Sequence, residues 1–127
     1  MSRQIVQSAN APKPIGPYSQ GVITEGRLLY SAGQTGVDPS LGKLVEGGIE
    51  AQTEQTLKNL RSVVEAAGSS MDKVIKTTVY LQNMSDFAAM NGVYATFFPN
   101  NPPARTTIAV AALPGGALVE IEVVSSL

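Results

Sequence analysis

The chain has 127 residues, 43% hydrophobic and 15% charged, and nine basic against ten acidic side chains leave a net charge of -1. That length predicts one domain, residues 1–127, able to bury about two thirds of its unfolded surface. The absence of Cys and His removes disulfides, thiol nucleophiles, imidazole bases and the usual metal ligands, and no basic run offers a footprint for nucleic acid. Chemistry therefore falls to Arg, Lys, Glu, Asp, Tyr, Ser, Thr or backbone groups, and no metal site is expected. The start MSRQIVQSANAPKP has no apolar signal core, and no apolar run is long enough to span a bilayer. No membrane partner is expected; the expected location is the cytosol, a mitochondrial form staying open. The charged fraction lies below the usual ~25%, which hints at surface hidden in an oligomer.

From Asn10 to Tyr18 three prolines and a glycine predict extended loop. Gln20 to Thr24 and Arg27 to Ala32 read as two strands around the turn Glu25-Gly26, and Gly33 to Gly48 as a long loop. Ile49 to Ala67 is the clearest helix, with Ile49, Thr53, Leu57, Leu60, Val64 and Ala67 on one stripe. Glu54 and Lys58 sit four apart on its wet side, and Gly68 suits the position after its end. Lys73 to Gln82 alternates as a strand, with Ile75, Thr77, Val79 and Leu81 on one face and Lys76, Thr78 and Tyr80 on the other. Ser85 or Asp86 can cap a second helix to about Phe98, its inward stripe being Phe87, Met90, Tyr94, Phe97 and Phe98; PNNPP stops it. Thr106 to Ala112 and Ala117 to Ser125 flank LPGG and read as a closing β-hairpin. The order ββ-α-β-α-ββ predicts an α+β sandwich with both helices on one face of the sheet. The other face must meet water or another subunit.

Several residues could carry chemistry. Arg105, in NPPARTT, is presented by rigid prolines and could offer a fixed fork to a carboxylate or phosphate; the plain alternative is a surface arginine or a salt bridge. Glu120 lies in a strand between Val119 and Ile121, an unusual place for glutamate. It could orient water or move a proton, or be an ordinary outward residue like Glu122. In a hairpin centred near Gly115, Glu120 would pair with about Val110, roughly 17 Å along the strand from Arg105. If the two serve one site, neighbouring subunits would supply them. Tyr18 could bond substrate or water, or pack as a loop aromatic. Asn91 interrupts the inward part of the second helix; a buried amide must be satisfied, so it ties down a loop or touches a ligand, the structural role being preferred. Gly33, in SAGQTG, could bring a backbone N–H close to a small anion or be a turn glycine.

The stretches NAPKPIGPYSQGV, SAGQTGVDP, TEQTLKNLRSVVEAAG, KTTVYLQNMSDFAAMNGVYATFF and PARTTIAVAALPGGALVEIE together resemble the RidA (YjgF/YER057c/UK114) family across essentially the whole chain. The resemblance implies a fold similar to the chorismate mutase of bacilli, a homotrimer around a central β-barrel, and a site in each intersubunit cleft. It implies cofactor-independent hydrolysis of 2-aminoacrylate, 2-iminobutanoate or 2-iminopropanoate to 2-oxo acids and ammonia. Arg105 would clamp the substrate carboxylate, Glu120 would place water, Tyr18 would close the cleft, and Gly33 and Asn91 would line it. Thr107 and Ala32 stand where many members have Cys and Ser: Thr107 should be tolerated and reshapes the pocket, Ala32 removes a hydroxyl that could bond the carboxylate and leaves only backbone there, and retained activity is expected. A small-carboxylate-binding regulatory module in the same cleft is the alternative. A trimer without chemistry is a further rival, and a ribonuclease fits the charge and the missing His least.

Overall fold

The computed structural model describes residues 3–127. In chain order its elements are β1 (Gln4–Val6), β2 (Gly21–Ile23), β3 (Leu28–Tyr30), β4 (Val37–Asp38), β5 (Lys43–Leu44), α1 (Gly48–Ala66), β6 (Val74–Leu81), α2 (Phe87–Phe97), β7 (Ala104–Ala109) and β8 (Val119–Ser126). The architecture is the expected α+β arrangement of two helices and a mixed sheet. Helix α1 buries Thr53, Leu57, Leu60 and Val64. It ends as Gly68 allows: with φ at 83°, the Gly68 N–H donates to Glu65 O at 3.0 Å and the Ser69 N–H to Val64 O at 3.1 Å, a Schellman closure. Helix α2 has no side-chain cap; Asp86 holds the cap position without bonding to the helix, and a 3₁₀ turn, Met84–Asp86, leads in.

The main sheet runs β3-β8-β6-β7. Strand β8 is antiparallel to both β3 and β6, whereas β7 is parallel to β6. Its alternation drops Val119, Ile121 and Val123 into the core, where they meet Val79 and Leu81 of β6, Leu57, Leu60 and Val64 of α1, and Met90 and Tyr94 of α2. The opposite face carries Lys76, Thr78, Tyr80, Glu120 and Glu122, half-buried, with Tyr30 71% and Ile108 43% exposed. No helix among the described residues is long and apolar enough to cross a membrane.

The closing hairpin does not form. Strand β6 lies between β7 and β8, so LPGG is part of a longer span over the end of β6. Gln82 pins that span from both sides. Its N–H donates to Leu118 O at 3.0 Å, its side-chain oxygen accepts from the Leu113 N–H at 3.2 Å, and its amide donates to Ala111 O. Likewise β2 and β3 flank their turn without pairing; β2 pairs with the unanticipated β1, and β3 with β8. The predicted loop at 33–48 contains the small hairpin β4–β5. Ile75 leaves the predicted core face because a bulge between Val74 and Lys76 shifts the register, as an extra unpaired residue must.

The approach of the 33–37 segment to α1 requires glycine at one point. A Cβ on buried Gly36 would lie 2.8 Å from Gln52 Cα and 2.9 Å from its carbonyl oxygen. Both are helix backbone, and Gln52 also holds the Leu118 N–H at 2.9 Å. Gly36→Ala is therefore expected to destabilise the fold by about 1–3 kcal/mol, read as a lower midpoint in urea denaturation; an unchanged midpoint would show that α1 can move away.

Candidate active site

Arg105 projects from β7 opposite Thr77 of β6, a fully buried residue, so its side chain enters the layer beneath α2. Its Nη1 donates to Asn91 Oδ1 at 2.7 Å. Its guanidinium carbon lies 4.8 Å from the ring centre of Tyr94, 5.3 Å from Tyr18 and 5.5 Å from Phe87. Phe87, Asn91 and Tyr94 are spaced as one stripe of a helix. Tyr94 is anchored in turn by a 2.7 Å hydrogen bond with the Thr77 hydroxyl.

The loop carrying Tyr18 is tied to the same strand. The Ser19 N–H donates to Pro103 O at 3.0 Å, the Ser19 hydroxyl donates to Pro102 O, and Ser19 bridges Ala104. The Tyr18 N–H closes on Gly16 O at 2.8 Å around Pro17, a tight turn that lays the Tyr18 ring by Arg105. A Cβ on Gly16 would sit 3.6 Å from Arg105 Nη2. The Tyr18 hydroxyl accepts from the Ile15 N–H at 3.4 Å, leaving its proton free to donate.

No described carboxylate pairs with Arg105; the one salt bridge among the described residues joins Lys58 and Glu54. Burial lowers the Arg105 pKa, and the neighbouring Tyr94 and Tyr18 act in the opposite direction. Arginine starts so high that it remains a cation. Burial pushes the Tyr94 phenol up to about 12, against the pull of the Thr77 bond and the Arg105 charge, so it is neutral. The result is a half-buried guanidinium held by aromatic rings and one neutral amide oxygen, with its charge uncompensated.

Glu120 belongs to β8 and pairs with Tyr80 of β6, on the face away from the helices. Five residues of the β3 extension, from Tyr30 to Gln34, run against only four of β8, from Val124 to Ile121. This slip brings Gly33 onto the glutamate: a Cβ there would fall 2.0 Å from Glu120 Oε2 and 2.8 Å from its Cδ. Only glycine admits the carboxylate in this position. The neighbouring Glu122 is engaged, accepting from the Tyr80 hydroxyl at 2.8 Å. That bond is the first cause of a raised Tyr80 pKa, burial and the charges of Glu122 and Glu120 adding to it. Glu120 itself accepts no hydrogen bond from a described residue.

The residues singled out from sequence thus form two groups. Arg105, Tyr18 and Asn91 meet beneath and beside α2; Glu120 and Gly33 meet on the other face, with Ala32 exposed beside Gly33. Asn91 gives its oxygen to Arg105, a structural role of the kind preferred for it from sequence. Thr107 lies two residues beyond Arg105 on the same face, and its buried hydroxyl has no hydrogen-bond partner among the described residues. Thr77 and Tyr80 are three residues apart on β6, an odd step, so Arg105 and Glu120 point to opposite faces of the sheet. They are also separated by about 10 Å along the strands and two strand spacings across them. One chain cannot bring both to one small molecule. The roughly 17 Å offset expected along a hairpin is replaced by this separation, whose cause is the intervening strand. Phe87, Tyr94 and Gly16 were not read as site residues; the signal available was the spacing of Phe87, Asn91 and Tyr94, which passes for an ordinary core stripe until Arg105 is placed beneath it.

Comparison with known proteins identifies the family and the fold. Residues 8–127 match the family described as Endoribonuclease L-PSP. A RutC family protein of Pyrococcus horikoshii is 49% identical over 97% of each chain. The 2-iminobutanoate/2-iminopropanoate deaminase of Homo sapiens is 46% identical over 97% of this chain and 89% of that one. The crystal structure of Escherichia coli TdcF with bound serine matches 98% of both chains at 34% identity, with a TM-score of 0.76. With a family match over nearly its whole length and relatives this similar, the chain belongs to the endoribonuclease L-PSP family, the RidA group that its motifs resemble.

Proposed function

We propose that the protein hydrolyses small 2-imino acids to 2-oxo acids and ammonia, without a cofactor, in clefts between the subunits of a cytosolic homotrimer. The observation that carries this reading is the pair of charges uncompensated among the described residues: a guanidinium without a carboxylate and a carboxylate without a donor, on opposite faces of one sheet. Each suits a half-site that a second copy completes. The human relative named for this activity supports the reaction class. The half-buried polar face around Tyr80 and Glu122, edged by exposed Tyr30 and Ile108, is the surface proposed to meet the other subunits.

In this reading Arg105 binds the substrate carboxylate through the N–H groups not used by Asn91, as a planar fork does best. Glu120 of a neighbouring subunit accepts a proton from water as its oxygen bonds to C2. The nitrogen of the C=N group takes up two protons, the first returned by Glu120 and the second given up by the new C2 hydroxyl; the C–N bond then breaks, ammonia leaves, and the C2 oxygen becomes the carbonyl of the 2-oxo acid. 2-Iminobutanoate and 2-iminopropanoate, the latter in equilibrium with 2-aminoacrylate, are the proposed substrates. The imine is already electrophilic, so positioning of water and substrate supplies most of the acceleration. Tyr18 covers the bound molecule, Gly33 keeps the carboxylate of Glu120 in reach, and Ala32 and Thr107 shape the space for the substrate side chain. Despite the family's description, ribonuclease chemistry draws no support from a chain without His and with a net charge of -1.

The test forms the imine in situ with a threonine dehydratase or an L-amino-acid oxidase and follows release of ammonia and 2-oxo acid above the spontaneous rate. Arg105→Ala is expected to abolish saturation, and Arg105→Lys to restore little, since an ammonium cannot form the planar fork. Glu120→Gln is expected to lower kcat by about 10²- to 10⁴-fold with little change in KM. Trimers reassembled from equal amounts of the Arg105→Ala and Glu120→Gln proteins should regain activity in about a quarter of all clefts, by random pairing. No recovery on mixing would refute the shared cleft.

Gly33→Ala gives a separate check. The added methyl meets the movable end of Glu120, not backbone, so stability should change by less than about 1 kcal/mol while turnover falls toward that of Glu120→Gln. A second reading, a carboxylate-binding regulatory module, is favoured by one observation: everything around Arg105 serves binding, and the TdcF structure carries serine. It predicts undiminished ligand affinity and no turnover in either the parent protein or Glu120→Gln.

A further inference from the structure

We propose that the Phe87–Asn91–Tyr94 stripe of α2 is a positioning device for Arg105, holding the guanidinium in one plane and uncompensated so that a carboxylate ligand becomes its first anionic partner. The inference deepens the proposed reading, because it concerns how the same arginine is prepared. It rests on a closed set of contacts. Arg105 is the cross-strand partner of Thr77. The Thr77 hydroxyl bonds with the Tyr94 hydroxyl at 2.7 Å, and the Tyr94 ring lies 4.8 Å from the guanidinium carbon. The ring is thereby fixed relative to the backbone from which the arginine springs. Asn91, one turn earlier, takes Nη1 at 2.7 Å, and Phe87, a further turn back, lies 5.5 Å from the same carbon.

The chemistry of the three residues is selective. A carboxylate in place of Asn91 would hold the guanidinium as firmly but would neutralise it, and an incoming anion would have to compete with that ion pair. An amide oxygen accepts a hydrogen bond without a full charge. Aromatic faces attract the cation through their quadrupole and leave the edge donors free. Tyr94 is fully buried and Phe87 half-buried, so the rings are held by packing and lose little freedom when ligand binds. Phe87 and Tyr94 also pack against the core around Met90, whereas Asn91 serves the arginine.

The experiment measures the dissociation constant of 2-oxobutanoate, a small 2-oxo carboxylate, by calorimetry, together with kcat and KM for imine hydrolysis. The variants are Tyr94→Leu, Tyr94→Phe, Phe87→Leu and Phe98→Leu. Phe98 packs on Tyr94 with ring centres 4.7 Å apart and has no contact with the guanidinium among the cation–aromatic pairs, so its variant reports loss of core packing alone. Tyr94→Leu and Phe87→Leu are expected to raise both the dissociation constant and KM about tenfold, with kcat changed much less. Tyr94→Phe, which keeps the ring, should recover most of that loss although it leaves the Thr77 hydroxyl unbonded. Phe98→Leu should lower thermal stability without weakening ligand. If Tyr94→Leu does not fold, Phe87→Leu at the half-buried start of the helix decides the matter.

Unchanged affinity in the folded Tyr94 and Phe87 variants, or an equal loss in Phe98→Leu, would overturn the proposal, as would a parent protein that binds no carboxylate. A parent protein that binds 2-oxobutanoate through this stripe but accelerates no imine hydrolysis would leave the positioning role standing and remove the hydrolase reading.

Discussion

Strand β8 is bonded on both sides, to β3 and to β6, and the two-residue alternation of this strand governs what each face of the sheet can do. Val119, Ile121 and Val123 go to the helices and close the core; Glu120 and Glu122 go to the other side. Because β6 continues the same pleat, the face of every residue on β7 follows from its partner on β6. Arg105 beside buried Thr77 must enter the helix layer, and Glu120 beside Tyr80 must leave it. The two charges are therefore separated by the sheet itself, and no side-chain rearrangement can reunite them within one chain. A function that uses both has to recruit a second copy, so the oligomer in the proposed reading is a consequence of strand parity.

The two charges are kept available by opposite means. Arg105 is partly withdrawn from water, and the cost of that withdrawal is visible in the direction of its pKa shift. The rings and the Asn91 oxygen offset the cost without cancelling the charge. Glu120 is left without a described donor, while its neighbour Glu122 is tied up by Tyr80. Gly33 contributes by what it lacks, since any side chain there would occupy the carboxylate's place. Gly36, three residues on, is glycine for a different reason: it faces helix backbone. Two glycines in one short segment thus serve the site and the fold respectively, and only the identity of the atom each Cβ would strike separates them.

Much of the layer structure was legible from local pattern. The stripe at Leu57, Leu60 and Val64, the glycine after α1, the alternation of β6 from Thr77 onward and the proline stop after α2 each report on backbone within a few residues, and each appears as read. The α+β class followed because two amphipathic helices can cover one sheet face. The motif resemblance located the family, and with it the residues Arg105, Glu120, Tyr18 and Gly33. What local pattern did not supply was partnership. LPGG looked like a hairpin turn because proline and glycine do turn the chain, but a turn residue does not say whether the strands it joins become neighbours. The bulge at Ile75 was invisible for a related reason: the alternation continues through it in sequence while the pairing shifts in space.

The sequence by itself determined the periodic elements, their order, the dry face of each, and the set of side chains available for chemistry once Cys and His are absent. These depend on propensity and spacing over a turn or two of backbone, which are properties of the chain alone. Only the tertiary structure decided that β6 separates β7 from β8, that Arg105 lies under Phe87, Asn91 and Tyr94, and that Glu120 rests on Gly33 across the sheet. Those facts depend on contacts between segments distant along the chain. Such contacts are selected by competition among several locally acceptable pairings, and the outcome is settled by burial of the whole core, which no short stretch of sequence contains.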